Sequence, residues 1–326
     1  MTQMGNKIAK RRKDLGLTQS EFAEQLNVTR QTVGRWETGS AYPDIEKISD
    51  IADMIRDRKA RVVLICGPSS SGKTTFAKRL CIQLKVNGFK TLYLGTDDYY
   101  KELSERVYDE NGEPDLESIK AIDTALFSSN ISDLLDGKEV DLPRYDFATG
   151  GKHFGERMTR LEKNQLVVIE GIHSMNDELT DKIPDSEKFK IYISPFTPIS
   201  IDHHNRISTT DARLIRRLVR DYKFRNAPAQ QTIGMWPKVR SSEDANIFPY
   251  NSKADIFFNS NCIYEYAVLK KYVEPILKRI KREEKEYAEA QRILSFFKYF
   301  DPIYDDSFIP NNSIIREFIG GSVLVK

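Results

Sequence analysis

Cysteine is scarce in this chain. Cys66, Cys81 and Cys262 are the only three in 326 residues, and their scattered spacing fits neither a disulfide framework nor a zinc site. Cys66 and Cys81 are expected as small apolar core fillers in a reducing compartment. No run of about eighteen apolar residues occurs, so no membrane span is expected. The polar, basic start lacks an apolar signal core, which makes the expected location cytoplasmic. An excess of one charge is also missing, with 50 Lys/Arg against 48 Asp/Glu. That balance excludes a uniformly basic nucleic-acid coat protein, but it hides a local bias. Residues 1–39 carry seven Lys/Arg and four Asp/Glu, a surplus that points to an anionic partner for the leading segment.

What is present begins with short helical patterns. Residues 6–15 form the first, ended by Gly16. Thr18 with Glu21 three residues on is a capping box that opens a second helix through Leu26. After the turn at Asn27-Val28, Thr29 caps a third helix over residues 30–38, and Pro43-Asp44 opens a fourth to about Met54. Ile8, Leu15, Leu17, Phe22, Ala23, Leu26, Val28, Val33, Trp36, Ile45, Ile48 and Ile51 fall at helical spacing and predict a compact core. Two short helices joined by a tight turn are the geometry of helix-turn-helix DNA readers. A protein–protein module of the same shape is the alternative.

From residue 61 the period changes. Residues 61–66, 91–95, 166–170, 189–194 and 254–259 are short apolar strands, with a helix over 73–86. Strands without polar alternation are buried on both faces. The expected class is therefore α/β, a mostly parallel sheet flanked by helices, preceded by a small all-α domain. Residues 67–74, directly after the first strand, read G-P-S-S-S-G-K-T. This is the phosphate-binding loop pattern in its required strand–turn–helix context. Gly67, Ser69, Ser70, Ser71, Gly72, Lys73, Thr74 and Thr75 are the candidate triphosphate contacts, Lys73 reaches the outer phosphates, and the Thr74 hydroxyl serves Mg²⁺. Asp97 follows the second strand and Glu170 ends the third, where ligands sit in such sheets. Transfer of a phosphoryl group to a hydroxyl needs a carboxylate to take the proton and acidic help with Mg²⁺. Thr74, Asp97 and Glu170 are accordingly the candidate metal residues.

Two resemblances extend this reading. Over residues 5–55, L-G-L-T-Q-S-E-F-A (15–23), V-T-R-Q-T-V (28–33) and W-E-T-G (36–39) resemble the Cro/phage-repressor, or XRE-type, helix-turn-helix domain. The resemblance implies that residues 30–38 form the recognition helix. Arg30, Gln31 and Arg35 would face base edges, and Thr29 and Thr32 lie in the same DNA-reading segment. Gln19 would donate to phosphate, and Arg12 with Glu37 would form a buried structural ion pair.

The body resembles the uridine kinase/phosphoribulokinase family through the loop, T-D-D-Y-Y (96–100), L-P-R-Y-D-F (142–147), V-V-I-E-G-I (167–172) and R-L-I-R-R-L-V-R-D (213–221). Later segments, including I-P-N-N-S-I-I-R-E-F-I-G-G-S (309–322), resemble its bacterial nucleoside-kinase-like branch. The resemblance makes Asp97 the general base. It makes Tyr100, Glu117, Tyr145, Phe147, Ile172 and Arg217 acceptor contacts, and Arg217, Arg220 and Arg225 the lid over the transferring phosphate. Gly150 stands where the family usually has a pyrimidine-reading His, and Ala227 where it has a lid arginine.

The expected organisation is a DNA-binding domain over 1–56, a joint at 57–61, a kinase-like domain over 62–282 and a helical extension over 283–326. The expected activity is transfer of the γ-phosphate of ATP or GTP to the 5′-hydroxyl of a uridine- or cytidine-like nucleoside. The expected partner of the leading domain is a double-stranded DNA operator, bound by a homodimer or higher even oligomer. Two alternatives stand beside it: a repressor whose kinase fold senses nucleotide or nucleoside without turnover, and a kinase for another small hydroxyl substrate. His203-His204 beside Asp202 reads as a loop or helix start rather than a metal site. Residues 264–290 read as a packed helical hairpin.

Overall fold

The computed structural model describes Ala9, Arg12, Lys13 and residues 16–25, 30–38, 44–108, 112, 114–147, 149–197, 199, 201 and 206–325. The side chains of residues 24, 25, 32, 35, 36 and 44–47 lie outside the description. The chain divides into two compact units, Met1–Arg56 and Asp57–Lys326.

In the first unit, α1 (Gln19–Gln25), α2 (Arg30–Thr38) and α3 (Asp44–Arg58) are helical. The capping box at its start is formed in both directions. The Thr18 amide donates to Glu21 Oε2 at 2.7 Å, and the Glu21 amide donates to Thr18 Oγ1 at 3.2 Å. Ala23, Val33, Ile48 and Ile51 are buried. Arg12 grips Glu37 through two nitrogens, at 2.5 and 3.1 Å, which gives the expected ion pair. Of the other core positions read from the sequence, Ile8, Leu15, Leu26 and Val28 lie outside the described residues, as do the side chains of Trp36 and Ile45.

In the second unit, β1 (Val62–Cys66) is buried at every position, as a β-branched run in the middle of a sheet should be. α4 (Lys73–Val86) follows, then the edge strand β2 (Lys90–Gly95). α5 (Thr124–Leu135) starts at Asp123, whose Oδ1 accepts the Leu126 amide at 3.0 Å. Four three-residue strands then form two small antiparallel pairs. β3 (Glu139–Asp141) pairs with β6 (Met158–Arg160), and β4 (Arg144–Asp146) pairs with β5 (Gly151–His153). β7 (Gln165–Glu170), the short α6 (Asp177–Thr180) and β8 (Lys188–Ser194) return to the main sheet. α7 (Thr209–Phe224), capped by Ser208, and α8 (Ala229–Asn246) precede the last strand, β9 (Ile256–Asn259). α9 (Glu265–Leu277), α10 (Tyr287–Phe296) and the one-turn α11 (Arg316–Ile319) complete the unit.

The main sheet has five strands in the order β2-β7-β1-β8-β9, all parallel. Val62 pairs with Val167 on one side and Lys188 on the other. This is the α/β architecture expected of a P-loop kinase. The two small antiparallel pairs leave no mark in the sequence, because three-residue strands carry too little alternation to be seen. Cys66 is fully buried, whereas Cys81 on α4 is half-buried. His203, His204 and Asp202 lie outside the described residues.

Candidate active site

The carboxyl ends of β1, β2 and β7 lie side by side and open into a cleft of about 700 Å³. The phosphate loop forms one wall. A side chain at Gly67 would place its Cβ 2.1 Å from the Ile193 carbonyl oxygen, so the chain can leave β1 here only through glycine. Gly72, just before α4, takes the left-handed conformation with φ of 86°. Ser69, Ser70, Gly72, Lys73 and Thr74 line the cleft, while Gly67, Ser71 and Thr75 are set back from it. Lys73 Nζ donates to the Pro68 carbonyl at 3.1 Å. The hydroxyls of Ser70 and Ser71 are buried without a hydrogen-bond partner among the described residues, so the loop holds donors unsatisfied by protein.

Four carboxylates, Asp97, Glu117, Glu170 and Glu317, line the cleft. Asp97, in the turn after β2, reaches solvent through the cleft, yet surrounding protein raises its pKa; Lys73 and Arg225 oppose the shift. Glu170, at the end of β7, is buried and pushed up to about 7, again by desolvation and against the pull of Lys73. Its Oε2 accepts from Thr74 Oγ1 at 3.2 Å and from the Tyr93 hydroxyl at 3.0 Å. Glu117 is raised by burial and partly offset by Arg217, which stands 3.7 Å away.

α7 supplies the cations. Arg213 and Arg216 are fully buried and structural. Arg213 pairs with Glu243 and donates to the Ser69 carbonyl at 3.2 Å, and Arg216 pairs with Glu265. Arg217, Arg220 and Arg225 turn to the cleft and share Asp221, at 3.2, 2.9 and 3.5 Å. Arg217 also donates to Ser69 Oγ at 3.0 Å. Burial lowers Arg220 to about 10, with repulsion from Arg225 adding to the effect.

The cleft also has apolar lining. Tyr100, Phe147, Leu116, Ile172, Met235 and Val239 line it. Tyr145 is buried outside the lining and packs its ring 5.7 Å from Tyr100 and 5.0 Å from Phe147. Gly150 has φ of +69°, and a Cβ there would meet Leu103 Cγ at 2.6 Å. Four polar residues of this region escaped the sequence reading: Tyr93, Asp221, Glu243 and Glu317. Asp221 stood inside a quoted motif and Glu317 inside a tail segment, but spacing alone does not say which carboxylate touches which cation.

In the first unit, Arg30 and Gln31 are exposed at the start of α2, and Val33 is buried on its inner face. The Gln19 amide donates to Glu37 Oε2 at 2.8 Å, so its side chain is tied to the Arg12–Glu37 pair. Thr29 and the side chains of Thr32 and Arg35 lie outside the described residues.

The comparison with known proteins agrees with this geometry. Residues 62–263 match the family model described as "Phosphoribulokinase / Uridine kinase family". The chain belongs to that family. Residues 8–56 match the model "Helix-turn-helix", a class of DNA-binding domain. Among curated proteins, the uridine kinase of Ligilactobacillus salivarius (strain UCC118) is 28% identical over 202 residues, covering 62% of this chain and 85% of that protein. The uridine kinase of Staphylococcus aureus (strain JH9) is 29% identical over 197 residues, covering 60% and 85%. A solved structure described as "a Possible Uridine Kinase from Bacillus stearothermophilus" aligns at 19% identity with a TM-score of 0.42, over 65% of this chain and 99% of that one. Members of the phosphoribulokinase/uridine kinase family are phosphotransferases that use a nucleoside triphosphate. No described helix is long and apolar enough to cross a membrane.

Proposed function

We propose that the second unit transfers the γ-phosphate of ATP or GTP to a hydroxyl of a small acceptor, with the 5′-hydroxyl of a uridine- or cytidine-like nucleoside as the favoured target. The first unit would bind an operator in double-stranded DNA, as a homodimer or higher even oligomer on paired half-sites. The observation that carries the reading is convergence. The phosphate loop, Asp97, Glu170 and three arginines of one helix and its end meet in a single cleft that is also lined by aromatic residues.

Each group has a role in this proposal. Lys73 and the loop donors hold the donor phosphates. Asp97, with its raised pKa, is a stronger base than an ordinary aspartate and takes the acceptor hydroxyl proton. Arg217, Arg220 and Arg225 neutralise charge that spreads over the transferring group. Tyr100, Phe147 and Ile172 seat the acceptor, with Glu117 and Arg217 as its polar contacts. The donor set fits Mg²⁺. Thr74 and Glu170 offer hard oxygens 3.2 Å apart, and Asp97 lines the same cleft. Among the described residues no three His, Cys, Asp or Glu side chains cluster as a complete metal site, so phosphate oxygens and water would complete the coordination. When bound, Mg²⁺ would supply neutralisation of the β- and γ-phosphate charge.

One observation favours the reading in which the acceptor is another small hydroxyl compound. Gly150 takes φ of +69°, a backbone conformation that strains any side chain carrying a Cβ, and Leu103 packs where that Cβ would lie. The deciding assay incubates the full chain and Mg²⁺ with γ-labelled ATP or GTP and a panel of nucleosides and small polyols. Multiple turnover on uridine or cytidine supports the favoured acceptor. Turnover on none of the panel removes the nucleoside and polyol acceptors and favours a ligand-sensing repressor, which DNA binding with and without nucleotide would then test.

A further inference from the structure

The first turn of α4 carries an internal anion. Glu317 Oε2, on the one-turn α11, accepts the Thr75 hydroxyl at 2.6 Å and lies 3.3 Å from the Thr75 amide nitrogen, which also donates to it. Thr75 directly follows the loop's Gly-Lys-Thr, where the positive end of α4 and its unpaired amides form a phosphate seat. Glu317 lines the cleft and Thr75 does not, so the carboxylate stands between this donor pair and the space a ligand would enter. The neighbouring segment is fitted to the same place. Ile314 Cγ2 lies 2.6 Å from where a Cβ on Gly72 would be.

The tail is anchored on both sides of this contact. Ile315 and Phe318 are fully buried, and the Arg216 guanidinium stacks 5.2 Å over the Phe318 ring. Arg316 holds the carbonyls of Asp306 and Ile309 at 2.6 and 2.9 Å. Lys78 Nζ, on α4 itself, donates to the Leu324 carbonyl at 2.7 Å. The carboxylate is therefore held over the helix end by packing and does not merely drift there from a loose terminus.

We propose that Glu317 is an autoinhibitory stand-in for a donor phosphate. Its carboxylate occupies the Thr75 amide and hydroxyl while the donor is absent, and a bound triphosphate must expel it and loosen residues 309–325. This rests on the reading that the loop binds donor phosphates. Two anions cannot share one donor pair, and charge-assisted hydrogen bonds of this kind are strong enough to shift an affinity about tenfold or more.

The test compares the full chain with Glu317→Gln, using calorimetric titration of ATP and of inorganic tripolyphosphate. Hydrogen exchange of residues 309–325 is followed in the unsubstituted chain. The near-isosteric amide keeps the shape and removes the charge. The expected results are ATP binding about tenfold tighter to Glu317→Gln and faster exchange at 309–325 when ATP is added. Equal or weaker ATP binding by the variant overturns the inference, with the loop's role intact. If the variant does not fold, unchanged or slower exchange in the unsubstituted chain overturns it instead. Tripolyphosphate binding that the substitution tightens, without ATP binding, keeps the inference and removes the nucleotide donor. Binding of neither probe to either chain overturns both.

Discussion

Tyr93 and Thr74 share one oxygen of Glu170, at 3.0 and 3.2 Å, so an edge strand, the inner strand beside it and the phosphate loop are tied at a single buried carboxylate. The Tyr93 hydrogen bond opposes the burial that pushes Glu170 up to about 7. Tyr93→Phe removes that opposition, and Glu170 then carries its proton at neutral pH more of the time. The expected outcome is about tenfold more Mg²⁺ for half-maximal turnover at pH 7. Raising the pH to 8.5 should recover much of the loss. A Mg²⁺ titration of turnover at the two pH values checks it.

Asp97→Asn keeps the volume of the side chain and removes the proposed base. Turnover should fall by about 10²–10⁴-fold, while ATP affinity by calorimetry stays within about threefold. In the unsubstituted chain the proton-accepting form is the carboxylate. Since burial raises its pKa, the acid limb of the kcat/KM profile should lie above the ordinary aspartate range and fall as pH drops through it.

Asp221 gathers Arg217, Arg220 and Arg225 and is itself nearly buried. Asp221→Asn leaves three guanidiniums close together without their shared counter-charge. A stability loss of about 3 kcal/mol in urea unfolding is expected, with a drop in kcat larger than any change in the donor KM. A raised donor KM with kcat unchanged would place the arginines in ground-state binding instead.

His173 is buried at 1% exposure, and desolvation holds it down to about 4. Above the ordinary value of 6.5 both folded and unfolded states keep it neutral. Between 6.5 and 4 the unfolded chain takes up a proton that the folded chain refuses, so stability is lost as pH falls, by about 1.4 kcal/mol per pH unit. Urea midpoints at pH 7 and pH 4.5 should therefore diverge more for the unsubstituted chain than for His173→Gln.

Local patterns were legible in the sequence, and long-range pairings were not. The phosphate loop, the five sheet strands and the Thr18–Glu21 capping box depend on residues a few positions apart, and the sequence placed each of them. Arg12–Glu37 was found only because a resemblance supplied the pairing. The side chain of Gln19, read as a phosphate donor, is bound within its own unit to Glu37. Tyr93 reads as one more strand aromatic until the β2–β7 register sets Leu94 beside Ile169 and Gly95 beside Glu170. Arg213 and Arg216 belong to the same basic run as Arg217, yet their burial against Glu243 and Glu265 makes them structural. Burial across 30 and 49 residues of sequence leaves no mark on spacing.

The hydroxyl of Thr75 and the carboxylate of Glu317 are joined across 242 residues of chain. On the ribosome, the loop and its helix emerge long before the residue that covers them, so the contact closes only after 242 further residues have been made. At about 5–20 residues per second, the interval is roughly 10–50 s.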